Sequence, residues 1–397
     1  VRNLNFTSPS ISHYKITLFT CVFLGTFSWL PGLPSTAVNA IKYISFIILL
    51  ILSLRSFSIK LTGLRKHLAA YAAILFPPYI YHLITTENFN PGLVGLLFSP
   101  LLVSLALNHQ KANETLRISS IALIYSMLVH SAWIIVSYIT NTNPAPFEVV
   151  GKWSSYDYSV MGFTNSHTLA SPLIAISIGL ITINRKNLSI PVFVTIIAYP
   201  ILLAGLLLST GEGGALVLVA SLGCIFVAQR IKAPATSILF AMLISASLFF
   251  VVGPYLSEKL HSSYIEHYYS NKAGWEMLKE NPIFGVGLGQ SYYFFERVLF
   301  DVIGSVQIYS SSLTPHTPYG VISAENGLFG IIAIALLVYV TIKSLSNLDL
   351  NDRSERSAYF IIGFMLILSS LEPWPLISNF FALYIFYAAL SKTTNPR

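Results

Sequence analysis

The segment Pro315-His316-Thr317-Pro318-Tyr319 sets one imidazole between two prolines, nine residues ahead of Glu325-Asn326-Gly327 and an apolar run. With a reference pKa of about 6.5, imidazole exchanges protons near neutral pH. An isolated loop histidine usually does no more than hydrogen-bond, but this one lies between prolines in a loop that closes onto an apolar run. His316 is therefore the first candidate for proton transfer. Lys272, Lys279, Arg297 and, when protonated, His267 stand nearby in the chain. Each would suit an anion, Lys272 first and then Arg297 and His267, and each would otherwise meet lipid headgroups. In the same region stands Asn281-Pro282-Ile283-Phe284-Gly285-Val286-Gly287-Leu288-Gly289, a weak signal when taken alone. A dinucleotide site would need a strand ahead of these glycines and a helix behind, in a soluble βαβ unit. The run instead follows a proline in a loop, so the glycines are read as letting the backbone turn tightly and approach another surface.

Other chemistries are excluded. Cys21 and Cys224 both lie in apolar runs, which leaves no disulfide framework and no paired-cysteine metal site. There is no phosphate-binding loop of the GxxxxGKS type, and Asp349-Leu350-Asn351-Asp352 reads as an ordinary solvated acidic loop. No metal or cofactor is expected.

The elements that must position these residues follow from composition. The 397 residues are 54% hydrophobic and 10% charged, with mean hydropathy +0.68, which fits an integral membrane protein. A spanning helix needs about 20 apolar residues. Such runs centre near residues 22, 46, 76, 100, 128, 176, 199, 221, 244, 335, 366 and 382. The first is read as a retained helix rather than a signal peptide. With the amino terminus inside, 17 Lys and Arg fall in inside segments and six outside, so both termini are expected in the cytoplasm. The net charge of +7 thus argues topology, not nucleic-acid binding.

The expected fold is an all-α polytopic membrane protein, one membrane domain over residues 1–397 with about 12 transmembrane helices. Two outside loops are long: Thr140 to His167, and Pro254 to Glu325. Loops of that length are uncommon unless functional, so the chemistry is expected there. Leu256, Leu260, Tyr264, Tyr268, Trp275 and Leu278 recur near helical spacing, which describes an interfacial amphipathic helix. The 72 residues from Pro254 to Glu325 hold 13 aromatic side chains, a membrane belt or a platform for sugar rings. His82 and His130, inside spans, are expected to be satisfied by neighbouring helices.

At these residues the chain resembles the O-antigen ligase and polymerase superfamily, bacterial membrane enzymes that take glycans from undecaprenyl diphosphate. Asn281, Pro282, Gly285, Gly287 and Gly289 match its N-P-x-x-G-x-G-x-G stretch. His316, Tyr319, Glu325, Gly327 and Gly330 match H-N-x-Y-x5-E-x-G-x-x-G, and Gly162-Phe163-Thr164-Asn165-Ser166-His167-Thr168-Leu169-Ala170 is similar to G-x-F-x-N-P-N-x-L-A. The chain departs from the pattern where Glu212 and His267 stand at arginine positions, and where Thr317 follows the histidine.

The resemblance implies a metal-independent, inverting glycosyltransferase in the bacterial inner membrane, with a periplasmic active site in the 254–325 loop. The donor would be an undecaprenyl-diphosphate-linked glycan, and the acceptor the sugar end of another lipid-linked repeat or lipid A-core. It implies His316 as the catalytic proton acceptor. Lys272, His267, Arg297, Tyr319, Glu325, Asn165 and His167 would contact substrate. The diphosphate is a weak base when it leaves, so the reaction needs a proton acceptor and cations or donors rather than a general acid. Two other readings are a lipid-linked glycan transporter or flippase, though the two halves show no repeat, and a non-catalytic family member that binds the glycan lipid.

Overall fold

The computed structural model describes residues 11–28, 30–56, 63–86, 94–107, 112–142, 162–163, 167–209, 212–248, 251, 255, 258–291, 294, 315, 317–346, 348–370 and 386–390. Among them there is no strand, only helices and their connections. In chain order these helices are α1 (Ile11–Gly25), α2 (Ser35–Ser56), α3 (Leu64–Thr85), α4 (Val94–Ala106), α5 (Ala112–Thr140) and α6 (His167–Leu188). There follow α7 (Val192–Leu208), α8 (Glu212–Ile231), α9 (Pro234–Ser247), α10 (Glu258–Glu280), α11 (Pro318–Ser346) and α12 (Arg353–Ser369). Eleven of the expected apolar runs fall on these helices, and of the run centred near residue 382 only residues 386–390 are described, as helix.

Among the described residues, five segments are long and apolar enough to cross a membrane: Ser35–Leu54, Leu64–Thr85, Ala112–Thr140, Gly213–Ile231 and Pro318–Ser346. Leu97–Ala106, Val192–Leu208 and Pro234–Ser247 are shorter apolar helices beside them. The protein is an all-α membrane protein. Lipid offers backbone groups no hydrogen bonds, so each apolar segment satisfies its own in a helix. Prolines stand inside α3 (Pro77, Pro78), α4 (Pro100), α6 (Pro172) and α7 (Pro200). Membrane helices tolerate them because neighbours take up the freed carbonyls.

At the centre lie α6, buried without a break from Ala170 to Ile181, and α12, buried from Ser357 to Met365. Apolar side chains gain little by leaving lipid for each other, so close approach supplies the packing. A Cβ on Gly179 would overlap the Phe360 ring, one on Gly205 would overlap Ser131, and one on Gly214 would overlap Ser171. The outward faces are apolar instead: α7 exposes Val192, Phe193, Ile196 and Ile197, and α9 exposes Phe240 and Leu243.

Polar contacts gather at the two ends of the bundle. At one end Lys15 pairs with Glu114, Arg117 donates to Ser189 Oγ at 3.2 Å, and Gln229 donates to the Leu350 carbonyl at 3.3 Å. At the other, Tyr319 meets Ser369, Ser28 N–H donates to Phe163 O and His82 meets Gly285.

Within the loop expected to run from Pro254 to Glu325, α11 starts at Pro318. The physical reason is local: the Thr317 hydroxyl accepts from Gly320 N–H at 3.0 Å, an N-cap, and proline suits the first helical position. In α10 the buried stripe is His267, Ser270, Ala273, Gly274, Met277 and Leu278, while Tyr268 and Trp275 share the exposed stripe with Lys272 and Lys279. Tyr268 and Trp275, expected on one apolar face with Leu278, are thus exposed, while Leu278 is buried.

Candidate functional site

The site is built around a break in α11. Gly327 has φ 59° and ψ −138°, a conformation that a residue with a Cβ avoids. The bend is sharp: the Ile322 carbonyl occupies the place of a Cβ on Gly330, whereas eight residues of straight helix span about 12 Å. Such a break strips backbone groups of their helical partners. The glycine loop supplies new ones. Val286 N–H donates to Ala324 O at 2.9 Å, Gly287 N–H to Glu325 O at 3.0 Å, and Leu328 N–H to Pro282 O at 2.8 Å.

Glycine is needed on both sides of this contact. Gly285, Gly287 and Gly289 all have positive φ. A Cβ on Gly285 would overlap the backbone of Glu325, and one on Gly327 would come within 2.5 Å of the Ile283 carbonyl. The buried Glu325 carboxylate turns back to the same loop: Ser291 Oγ–H donates to it at 2.6 Å, and the Gly289 and Ser291 N–H groups bond it as well. Its bonds therefore hold the loop. Tyr319, half-buried, meets Ser369 Oγ at 3.0 Å and ties α11 to α12.

The stretch carrying His316 is anchored on α10. His316 itself lies outside the described residues, but its neighbours do not. Pro315 packs where a Cβ on Gly274 would come within 2.8 Å of it. Thr317 Oγ1–H donates to Asn271 Oδ1 at 3.0 Å, and Asn271 Nδ2 donates to His267 O at 2.9 Å. His267, Asn271 and Gly274 fall at positions i, i+4 and i+7, on one side of the helix. His267 is buried there, at 4% exposure. Lys272 is exposed on the far side, one turn from Tyr268 and Trp275, while Lys279 is paired with Glu276 at 2.8 Å. The structure thus brings His267, Tyr319 and Glu325 to the two helices that flank this stretch and turns Lys272 outward. Arg297 and Asn165 lie outside the described residues, as does the His167 side chain, although His167 begins α6.

The third motif docks elsewhere at the same end of the bundle. Phe163 N–H donates to His130 Nδ1 at 3.1 Å, so the neutral ring carries its proton on Nε2 and donates to Thr26 Oγ1 at 3.1 Å. Phe27, His130, Trp133 and Phe163 form one ring cluster. Beside it the buried Lys42 ammonium donates to the Phe27 carbonyl at 2.7 Å. His130 is satisfied, by a connecting segment as well as by a helix.

Neither a family model nor a curated protein matches this chain. Its chemistry is therefore read from the residues. Among the described residues no three His, Cys, Asp or Glu side chains stand close enough to hold a metal ion. Sequence reasoning missed Asn271, Ser291 and the capping role of Thr317. The Thr317-Pro318 pair carries a recognisable helix-start signal. Asn271 and Ser291 carry none, because their partners are 46 and 34 residues away.

Proposed function

We propose that this chain is an extracytoplasmic glycosyltransferase that moves a glycan from undecaprenyl diphosphate to an acceptor hydroxyl during assembly of a bacterial surface polysaccharide or lipopolysaccharide. One observation supports this reading most. The glycine run and the Glu325 to Gly330 segment, which carry the resemblance, interlock through two backbone hydrogen bonds, with a third to the adjoining Ala324 carbonyl, while the residues on either side of His316 are anchored on α10. Motifs distant in sequence thus belong to one unit at one end of the bundle.

In this reading His316 accepts the proton of the acceptor hydroxyl as its oxygen attacks the anomeric carbon. The carbon–oxygen bond to the diphosphate breaks on the opposite face, inverting the centre, and the diphosphate leaves with the bonding pair. Electrostatic stabilisation of that leaving group requires donors held in place beforehand. His267, on the side of α10 that faces the Pro315–Thr317 stretch, is the first candidate among the described residues, with Arg297 from the remainder of the loop. Lys272 lies beside two exposed aromatics, a composition suited to the headgroup region.

The test is product analysis with the protein in lipid nanodiscs and a radiolabelled undecaprenyl-diphosphate glycan as donor. Transfer to a second lipid-linked repeat, or to lipid A-core, with release of undecaprenyl diphosphate supports the reading. Movement of intact donor across a bilayer without bond cleavage would support transport instead.

A further inference from the structure

We propose that His82, on membrane helix α3, is a positioning residue that locks the glycine loop against the broken helix and so fixes the stretch that carries His316. The inference rests on the glycosyl-transfer reading for its catalytic consequence, and on geometry for the rest. His82 Nε2 lies 3.1 Å from Gly285 O and 3.3 Å from Phe284 O. A carbonyl only accepts, so Nε2 carries the proton, and Nδ1 accepts from the Thr86 hydroxyl at 3.0 Å. The ring also fills the space beside Gly287, where a Cβ would come 3.1 Å from His82 Cγ.

The adjacent ring extends the grip. Tyr81 stacks on Phe284 with centroids 4.3 Å apart and planes 13° apart. Phe284 in turn stacks on Phe329, beyond the break, at 5.7 Å and 9°. The loop is therefore held from one side by α3 and from the other by α11. Irregular backbone beside membrane helices persists only where its polar groups have partners. Val286 and Gly287 spend their N–H groups on α11, and His82 serves the carbonyls of Phe284 and Gly285. Without it the loop must find another donor in apolar surroundings. A loosened loop frees the first half of α11, and with it Thr317 and its neighbour His316.

The experiment measures hydrogen–deuterium exchange in nanodiscs for wild type, His82→Ala and His82→Gln, alongside glycan transfer. Gln keeps an N–H donor on a side chain of similar reach. For His82→Ala, exchange in peptides covering residues 282–290 and 318–328 is expected to rise about tenfold. Peptides from α6 and α12 should keep wild-type protection. Transfer should fall about tenfold through kcat with KM little changed, and Gln should restore both readouts. Unchanged exchange in His82→Ala, loosening spread evenly over all helices, or no rescue by Gln overturns the positioning role. Local loosening in a protein whose wild type transfers no glycan upholds the lock and overturns the glycosyl-transfer reading instead.

Discussion

Gly285 and Glu325, forty positions apart, meet backbone to backbone: a single Cβ on Gly285 would occupy the place of the Glu325 carbonyl carbon. The contact joins the glycine loop to the helix break.

Gly285→Ala should therefore destabilise the protein by about 2 kcal/mol or more, because it adds both overlap and an unfavourable φ of 70°. Gly213→Ala is the control, with nothing within 4 Å of its Cβ position. Thermal unfolding in detergent should show a lowered Tm for the first and a wild-type or slightly raised Tm for the second. Equal Tm values for the two would show that the interlock contributes nothing.

Thr317→Val removes the cap on Gly320 N–H and the bond to Asn271 while keeping the shape. Loss of a cap costs about 1 kcal/mol, and Asn271 Oδ1 loses its donor as well. Thr317→Ser should keep both bonds. Proteolysis of the loop should therefore speed up in Val and not in Ser, and matching rates would remove the anchoring role.

Much of this fold is legible in the chain because lipid enforces it: an apolar run such as Leu64–Thr85 has no alternative to a helix. Facing is harder to read. Tyr268 and Trp275 have rings that suit either a packed face or an interface, and periodicity groups them with Leu278, which is buried where they are exposed. Contacts between distant segments are harder still. His82 is conspicuous as an ionisable group in a span, but its partner is a loop carbonyl 203 residues away, and no local pattern encodes that pairing. The glycines announce close approach without naming the surface approached.

Charge at the diphosphate gives a third prediction. Losing a charge-assisted hydrogen bond costs on the order of 1.5 to 3 kcal/mol, or about tenfold to a hundredfold in rate if it acts in the transition state. His267→Ala should fall in that range, whereas Lys272→Ala should resemble Lys279→Ala, with little change in the kinetics of glycan transfer. A large loss confined to Lys272→Ala would return the diphosphate to the exposed face of α10.

Topology can be read by labelling. With 17 basic residues expected inside and six outside, a cysteine at Ser310 should react with an impermeant thiol reagent in intact cells in which the outer membrane has been opened. A cysteine at Ser354 should react only after the inner membrane is opened. The reverse order would put His316 in the wrong compartment for a periplasmic reaction.

Glycan transfer by His316→Ala in nanodiscs tests the central claim most directly, with Tyr319→Phe as the companion variant. The expected result is a normally folded His316→Ala protein whose transfer is at least about a hundredfold slower, as befits loss of a general base, and a Tyr319→Phe protein that keeps most of its activity. Wild-type release of undecaprenyl diphosphate by His316→Ala would contradict it.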